Sequence, residues 1–365
     1  MSGNSFGLIF KITTCGESHG GAVAVIVDGC PAGMQLDIKH IQHELDRRKP
    51  GQSYITTPRK EQDIIHIMSG VFNGITTGTP ILLLTYNTDM RPEDYNELKD
   101  IFRPSHADFT YLHKYGIRDY RGSGRASARE TLARVAAGAI AKRYLALTHG
   151  IEIIAYVEQV GSLIATVDYH SVTPNDIENN IIRCPDSEIA PKMINLIEEV
   201  KNDGDSIGGV IRGVIRHTPV GLGEPVFDKL HADLAKAMLS INAAKGFDIG
   251  SGFAGVELRG SANNDEMALS PNGTPAFISN NAGGVLGGIS SGEDIIFRVA
   301  FKAVSTISKP QTTLNTSNEQ ITFNAHGRHD PCVLPRAVPV VEAMAALVII
   351  DHILRNKNNI KLDSK

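Results

Sequence analysis

Two apolar runs near the start of the chain, "GLIFKITT" and "AVAVIVDG", flank the glycine-rich connection "CGESHGG". That arrangement predicts a β-hairpin with Gly16 to Gly21 at its turn. The pattern then changes period. Ile38, Ile41 and Leu45 in "IKHIQHELDRR" (38–48) have helical spacing, and the segment ends in a basic pair. The stretch "DIIHIMSGVFNGITTGTPILLLTYN" reads as strands and turns. The clearest helix follows, with Leu132, Val135, Ala136, Ala139 and Ile140 recurring as one buried face. Ser127 and Glu130 have the S-x-x-E spacing of a capping box, which puts the helix start near Ser127.

Between 150 and 220, strand-like runs ("IEIIAYVEQVGSLI", "GGVIRGVIRHT") alternate with a helix near 188–202. "FDKLHADLAKAMLSI" (227–241) predicts another amphipathic helix, and a last one is expected from about Val340 to Asn356. A polar tail, 356–365, follows and is expected to be loose. With no repeat and no Pro- or Ser-rich linker, the pattern predicts an α+β protein with one elaborate domain over 1–355.

Composition narrows the class. The 365 residues are 42% hydrophobic, enough for a substantial core, and the net charge is −4. That balance argues against a general nucleic-acid or membrane-surface binder, so any polyanion must be held by local basic clusters. No signal-peptide pattern opens the chain, and "AMAALVII" (343–350) is too short to cross a bilayer. Cys15, Cys30, Cys184 and Cys332 are scattered, with neither metal nor disulfide spacing. A soluble, cytoplasmic protein without a metal is expected.

One local cluster stands out. "RPSHADFTYLHKYGIRDYRGSGRASARET" (103–131) gathers five arginines and two histidines just ahead of the predicted helix. Gly122 and Gly124 free the backbone before a helix N-terminus, whose N–H groups suit an anion. Arg103, Arg121, Arg125 and Arg129 bracket it with planar forks matched to phosphate and carboxylate. A solvated basic loop would explain an isolated Arg run, but not the two features together. "GSGRAS" nearly matches a dinucleotide fingerprint. It fails on context, because "KYGIRDYR" is no buried strand and Ser127 replaces the third glycine. "GESHG" (16–20) is not the G-x-S-x-G elbow of a hydrolase. His19, His106 and the trio Arg328, His329 and Asp330 are each weak alone, and an Arg–Asp pair there could be purely structural.

Together, "GESHGGAVAVIVDGCPAG", "RPSHADFTY…KYGIRDYRGSGRASARETLARVAAGAIA" and "GRHDPCVLPRAVPVVEAM" resemble the chorismate synthase family. The resemblance continues through "DRRKPGQS", "GDSIGG", "GLGEPVFDKL", "SINAAKGFDIGSGF" and "NAGGVLGGISSG", so it covers nearly the whole chain. It implies helices sandwiched between antiparallel sheets, a homotetramer, and conversion of 5-enolpyruvylshikimate 3-phosphate to chorismate and phosphate. It also implies reduced FMN with no net redox change, supplied by a separate flavin reductase. An NADPH-dependent flavin reductase on the same scaffold is the alternative.

By motif match, substrate contacts fall on Arg48, Arg103, Arg129 and Arg328. Tyr54 stands where an arginine is usual, so that contact is absent or comes from Arg59. FMN contacts fall on Arg125, Ala126, Ser127, Asn242, Ala243, Gly287, Lys302, Ala303, Val304, Ser305, Thr306 and Arg328. The resemblance casts His106 as general acid at the departing phosphate and His19 as the partner of the reduced flavin. Asp330 is cast as proton acceptor, with Ser127 and Ser18 orienting or relaying. Ser105 and Ala126 replace a more usual Gly and Ser, and "KAVST" (302–306) departs from a Pro-Thr form.

Overall fold

The computed structural model describes residues 3–57, 59, 61–89, 92–325 and 329–356. The predicted N-terminal hairpin forms from strands Lys11–Gly16 and Ala22–Asp28, antiparallel with Lys11 opposite Asp28. Ile81–Tyr86 pairs on the other side of Ala22–Asp28, and the short strands Ser5–Phe6 and His66–Ile67 complete a five-stranded sheet. Alternation places Val23, Val25, Val27, Ile81 and Leu83 on its buried face. A second five-stranded antiparallel sheet runs Ala244–Ile249, Ile295–Phe301, Gly209–Arg216, Glu152–Val160 and Leu163–Ile164.

Helices fill the space between the sheets. Helix Thr131–His149 packs on the first sheet, and the C-terminal helix Leu334–Asn356 packs on the second. The two helices cross so closely that a Cβ on Gly138 would sit 2.4 Å from the Ala343 Cβ. Helix Ile38–Arg48 joins one side and Leu230–Leu239 the other. The expected sandwich is therefore present, with a main core continuous from Phe10 to Leu354.

Element boundaries differ from the sequence reading for local reasons. The helix expected at Ser127 begins at Thr131, because Ala128–Glu130 is wound as a tighter 3₁₀ turn. Ser127 does cap that turn, accepting from the Arg129 N–H at 3.3 Å, but no reciprocal Glu130 bond closes a capping box. The last helix starts at Leu334, six residues earlier than expected. Pro335 is tolerated in its first turn, and Pro339 lies inside it. That helix is long and apolar enough to span a bilayer, contrary to the expectation from its strongest apolar run. Its apolar window is wholly buried, as befits a helix hydrophobic on all sides inside a core. The tail at 357–365 lies outside the described residues.

Charges inside the helical layer aim the first helix. Glu342 accepts from Arg47 at 2.6 Å, from Lys142 at 2.7 Å and from the Ala155 amide at 3.1 Å. Arg47 is thereby turned into the helical layer, while its neighbour Arg48, about 100° further round the helix, lines the site described next.

Candidate active site

Segments distant in the chain converge on one cavity of about 1320 Å³. Its wall takes Ser18 and His19 from the first hairpin, Arg48 from the end of the first helix, and most of the loop 103–107. It also takes most of 122–131 ahead of the central helix, Asn242 and Ala243, part of 302–306, and His329 and Asp330.

Three guanidiniums form a first group of lining residues. Arg48, 2% exposed, donates to Asp63 at 3.0 Å, to Thr131 Oγ1 at 3.2 Å and to the Ala128 carbonyl at 2.9 Å. Arg129 shares that carboxylate at 2.6 Å and donates to Asn87 Oδ1 at 2.7 Å. Its Nη2, also buried, has no hydrogen-bond partner among the described residues. Asn87 in turn donates to the Glu17 and Gly20 carbonyls, at 3.1 and 2.6 Å, which ties the Ser18–His19 turn to Arg129. Arg103 pairs bidentately with Asp108, at 2.8 and 2.9 Å, and Arg118 takes the same carboxylate at 2.9 Å. Burial pushes Asp108 up, but hydrogen bonds from Arg103 and His106 outweigh it and hold the carboxyl well below the usual range. Four guanidiniums thus share two carboxylates, Asp63 and Asp108, with Glu61 3.9 Å from Arg129 Nη2, an arrangement of forks suited to a further anion.

Two imidazoles lie among these arginines. His19 is 7% exposed, edge-on to Tyr95 at 4.9 Å between centroids, and its Nδ1 is buried with no hydrogen-bond partner among the described residues. Gly122 makes that packing possible: at φ +59°, a Cβ there would lie 2.2 Å from His19 Nδ1. Burial, aided by the Arg59 charge, pulls the His19 pKa down. His106 sits 3.1 Å from Asp108 Oδ1 through Nδ1 and 3.2 Å from Ser123 Oγ through Nε2. Burial lowers its pKa as well, with Asp108 opposing. Both rings are therefore biased toward the neutral form, and a bound anion would push both back toward the charged one.

A second group of lining residues is less self-satisfied. Arg125 rests on neutral acceptors: Thr14 Oγ1 at 2.7 Å, Gly16 O at 3.1 Å and Asn4 Oδ1 at 3.2 Å. Asn242 donates to the Ala126 carbonyl at 3.0 Å, leaving its Oδ1 buried and unpartnered among the described residues, and Ala243 beside it has φ +66°. Lys302 donates to Ser305 Oγ, which donates at 2.8 Å to the Ser105 carbonyl and so ties 302–306 to the His106 loop. Burial, then Lys245, lowers the Lys302 pKa.

Val304, Ser305, Thr306, Ala126 and Ser127 also line the cavity. Tyr54, Gly287 and Ala303 do not. Tyr54 is 57% exposed, whereas Arg59 does line the cavity, held by Glu61 at 2.7 Å. Gly287 turns the hairpin between Val285–Leu286 and Ile289–Ser290, and a Cβ added there would meet nothing within 4 Å. Arg121 leaves the anion cluster and pairs with Asp119 at the surface. Arg328 lies outside the described residues. Asp330 is engaged by Arg336, six residues further on, and by the Thr57 amide at 2.9 Å. Sequence reasoning missed Asp63, Asn87, Asp108, Tyr95, Ser123 and Arg336. Of these only Asp108 carried a signal, two residues beyond His106 in "RPSHAD".

An α+β sandwich enclosing a guanidinium-lined cavity with one buried and one half-buried imidazole is the build of an enzyme for a small polyanion. The family model for chorismate synthase matches residues 10–354. A chorismate synthase of Cytophaga hutchinsonii is 59% identical over 360 residues, covering 99% of both chains. One of Microcystis aeruginosa is 58% identical over 353 residues, covering 97% of this chain and 96% of its own. A crystal structure of chorismate synthase superposes with a TM-score of 0.71 at 32% identity, over 95% of this chain and 92% of the other. The chain belongs to the chorismate synthase family.

Proposed function

We propose that this chain is a lyase that eliminates phosphate, in an anti-1,4 sense, from 5-enolpyruvylshikimate 3-phosphate to give chorismate, with FMN as the reduced flavin. One observation carries the reading: Arg48, Arg103 and Arg129 line the same cavity as His19 and His106. The substrate bears a phosphate and two carboxylates, and each charge-assisted bond to a buried guanidinium contributes about 1.5–3 kcal/mol.

The cavity fits a flavin as well. Its volume of about 1320 Å³ exceeds the ~300–1,000 Å³ of ordinary small-molecule sites, leaving room for two ligands. Asn242 Oδ1 offers an unused buried acceptor, while Lys302 and Arg125 offer cations without a carboxylate partner among the described residues. With Ala126, Ser127, Ala243 and Val304 to Thr306 these groups would hold the cofactor. Reduced FMN supplies, when bound, the electron density that lets phosphate leave with no net redox change.

The remaining work belongs to the chain. The arginines orient the ring and neutralise the leaving group. His106 delivers a proton or hydrogen bond to the departing phosphate. His19, whose buried Nδ1 has no hydrogen-bond partner among the described residues, manages charge on the flavin side. Asp330 is the proton acceptor for the ring hydrogen's path out, oriented by Arg336 and the Thr57 amide, with Ser18 and Ser127 as auxiliary hydroxyls. Arg59, rather than Tyr54, supplies the additional anion contact. The free state of all four cysteines fits a reducing, cytoplasmic setting. A homotetramer, a single catalytic domain and a separate flavin reductase complete the reading. Nothing favours an NADPH-dependent reductase, since the glycine turn at 122–127 opens no βαβ unit. Anaerobic incubation with chemically reduced FMN and the enolpyruvyl substrate should release chorismate and phosphate in equal amounts. No turnover under those conditions would overturn the proposal.

A further inference from the structure

Ser123 occupies an unusual backbone position. At φ +72° it lies between Gly122 and Gly124, both also left-handed. Such a run suits glycine, and a side chain in its middle is strained. The side chain is nevertheless engaged on two sides: its Oγ lies 2.7 Å from Arg103 Nη2 and 3.2 Å from His106 Nε2.

Counting hydrogens fixes the direction of these bonds. Arg103 Nη2 carries two hydrogens, and both are taken: one by Asp108 Oδ1 at 2.9 Å, one by Ser123 Oγ at 2.7 Å. The 3.1 Å approach of the same nitrogen to His106 Nδ1 is therefore a contact without a hydrogen to share. Ser123 Oγ, already an acceptor from Arg103, has its own hydrogen free for His106 Nε2. A ring that accepts at Nε2 carries its proton on Nδ1, facing Asp108 Oδ1 at 3.1 Å.

We propose that Ser123 is a positioning residue: its hydroxyl donates to His106 Nε2 in the free enzyme, holding the Nδ1–H tautomer against Asp108 and keeping Nε2 turned to the cavity. When a phosphate arrives, the hydroxyl swings to the anion, Nε2 takes up a proton from solvent to give the imidazolium, and the ring returns to its Nδ1–H neutral form by passing that proton to the leaving phosphate. The charged groups facing the ring are Asp108, Arg103 and Arg118. This rests on His106 acting at the phosphate, as proposed above.

Ser123→Ala and Ser123→Gly separate this role from folding. Alanine keeps the left-handed strain and glycine removes it, so the glycine variant should melt higher than the alanine one. Both lack the hydroxyl, so both should lose kcat/KM by roughly 10-fold, below the ~100-fold of outright misplacement. Loss of a donor to Nε2 disfavours neutral imidazole, so the His106 limb of the kcat/KM profile should move to higher pH in both. In ¹⁵N-histidine-labelled wild-type enzyme without ligands, His106 should show a protonated Nδ1 and a bare Nε2, and both variants should lose that bias. A wild-type ring protonated at Nε2, or unchanged pH profiles in both variants, overturns the proposal. Near-normal turnover of His106→Ala would instead remove the general acid, while the tautomer spectrum would still judge the hydroxyl bond by itself.

Discussion

Among the groups proposed to bind substrate, the buried guanidiniums share carboxylates: Arg48 and Arg129 through Asp63, Arg103 and Arg118 through Asp108. Among those proposed to hold the cofactor, Arg125, Lys302 and Asn242 rest on carbonyls and hydroxyls, or leave a polar atom without a partner among the described residues. The difference follows from burial. Arg48, Arg103 and Arg129 are each at most 5% exposed, and an uncompensated charge at that depth would oppose folding. The carboxylates hold the forks in place before any substrate arrives. Cations with lighter burial can wait for their counter-charge. One group is assembled by the fold, and the other is left open to a counter-charge.

That contrast makes opposite demands on mutants. The largest effect should come from chemistry in the preassembled group. His106→Ala should lower turnover by about 10²–10⁴-fold if the ring is the general acid, with flavin affinity unchanged in a fluorescence titration. Near-normal turnover would move the acid elsewhere.

Next in size is Asp63→Asn. It conserves volume but leaves Arg48 and Arg129 facing each other with no shared anion. Breaking a buried pair from one side costs about 3–5 kcal/mol, so chemical denaturation should show a lower midpoint with a similar slope. A variant as stable as wild type would mean that the arginines need no carboxylate, and the two groups would not differ as described.

Lys302→Ala is the mirror experiment and a smaller one. Stability should stay within about 0.5 kcal/mol, as for substitutions away from a packed core. FMN affinity should fall by the value of one charge-assisted bond, about 1.5–3 kcal/mol or roughly 10- to 100-fold. Loss of stability with intact FMN binding would reverse the assignment of this group.

The same contrast explains what could be seen in the sequence. The helices and the first hairpin were legible because apolar spacing is local, and the basic cluster ahead of the central helix was legible as arginines near glycines. The carboxylates that make the cluster workable were not. Asp63 reaches Arg48 and Arg129 across 15 and 66 residues, from an irregular segment at φ +50° that carries no motif. Asn87 reaches Arg129 across 42 residues from the end of a strand. Arg121 has the same side chain and the same glycine neighbours as Arg125, yet an aspartate two residues away captures it at the surface. Proximity in sequence could not separate the two. Residue type shows which groups want a partner, but only the packing of the first sheet on the helices shows where the partner comes from.

The smallest expected effect concerns acid. Burial is the leading cause that lowers both His19 and His106 below the ordinary 6.5, with Arg59 adding to it at His19 and Asp108 opposing it at His106. For each ring the unfolded chain then binds the proton more readily than the folded one. Stability from the neutral rings is therefore complete above pH 6.5 and declines as pH falls from there toward the folded-state values. Asp108 does not share this window, because its lowered pKa shifts its contribution below 3.8. His40 and His231 are also lowered by burial, so the wild-type slope alone cannot be assigned. The difference from a His19→Asn/His106→Asn double variant can. Between about pH 7.5 and 5.5 the melting temperature of the double variant should fall less than that of wild type. Bound phosphate should shrink the wild-type fall, since an anion between the arginines restores the charged imidazoles. Equal slopes in the two proteins would mean that the rings titrate as they do in the unfolded chain. The arginine-lined group would then be too wet to be the preassembled half of the site.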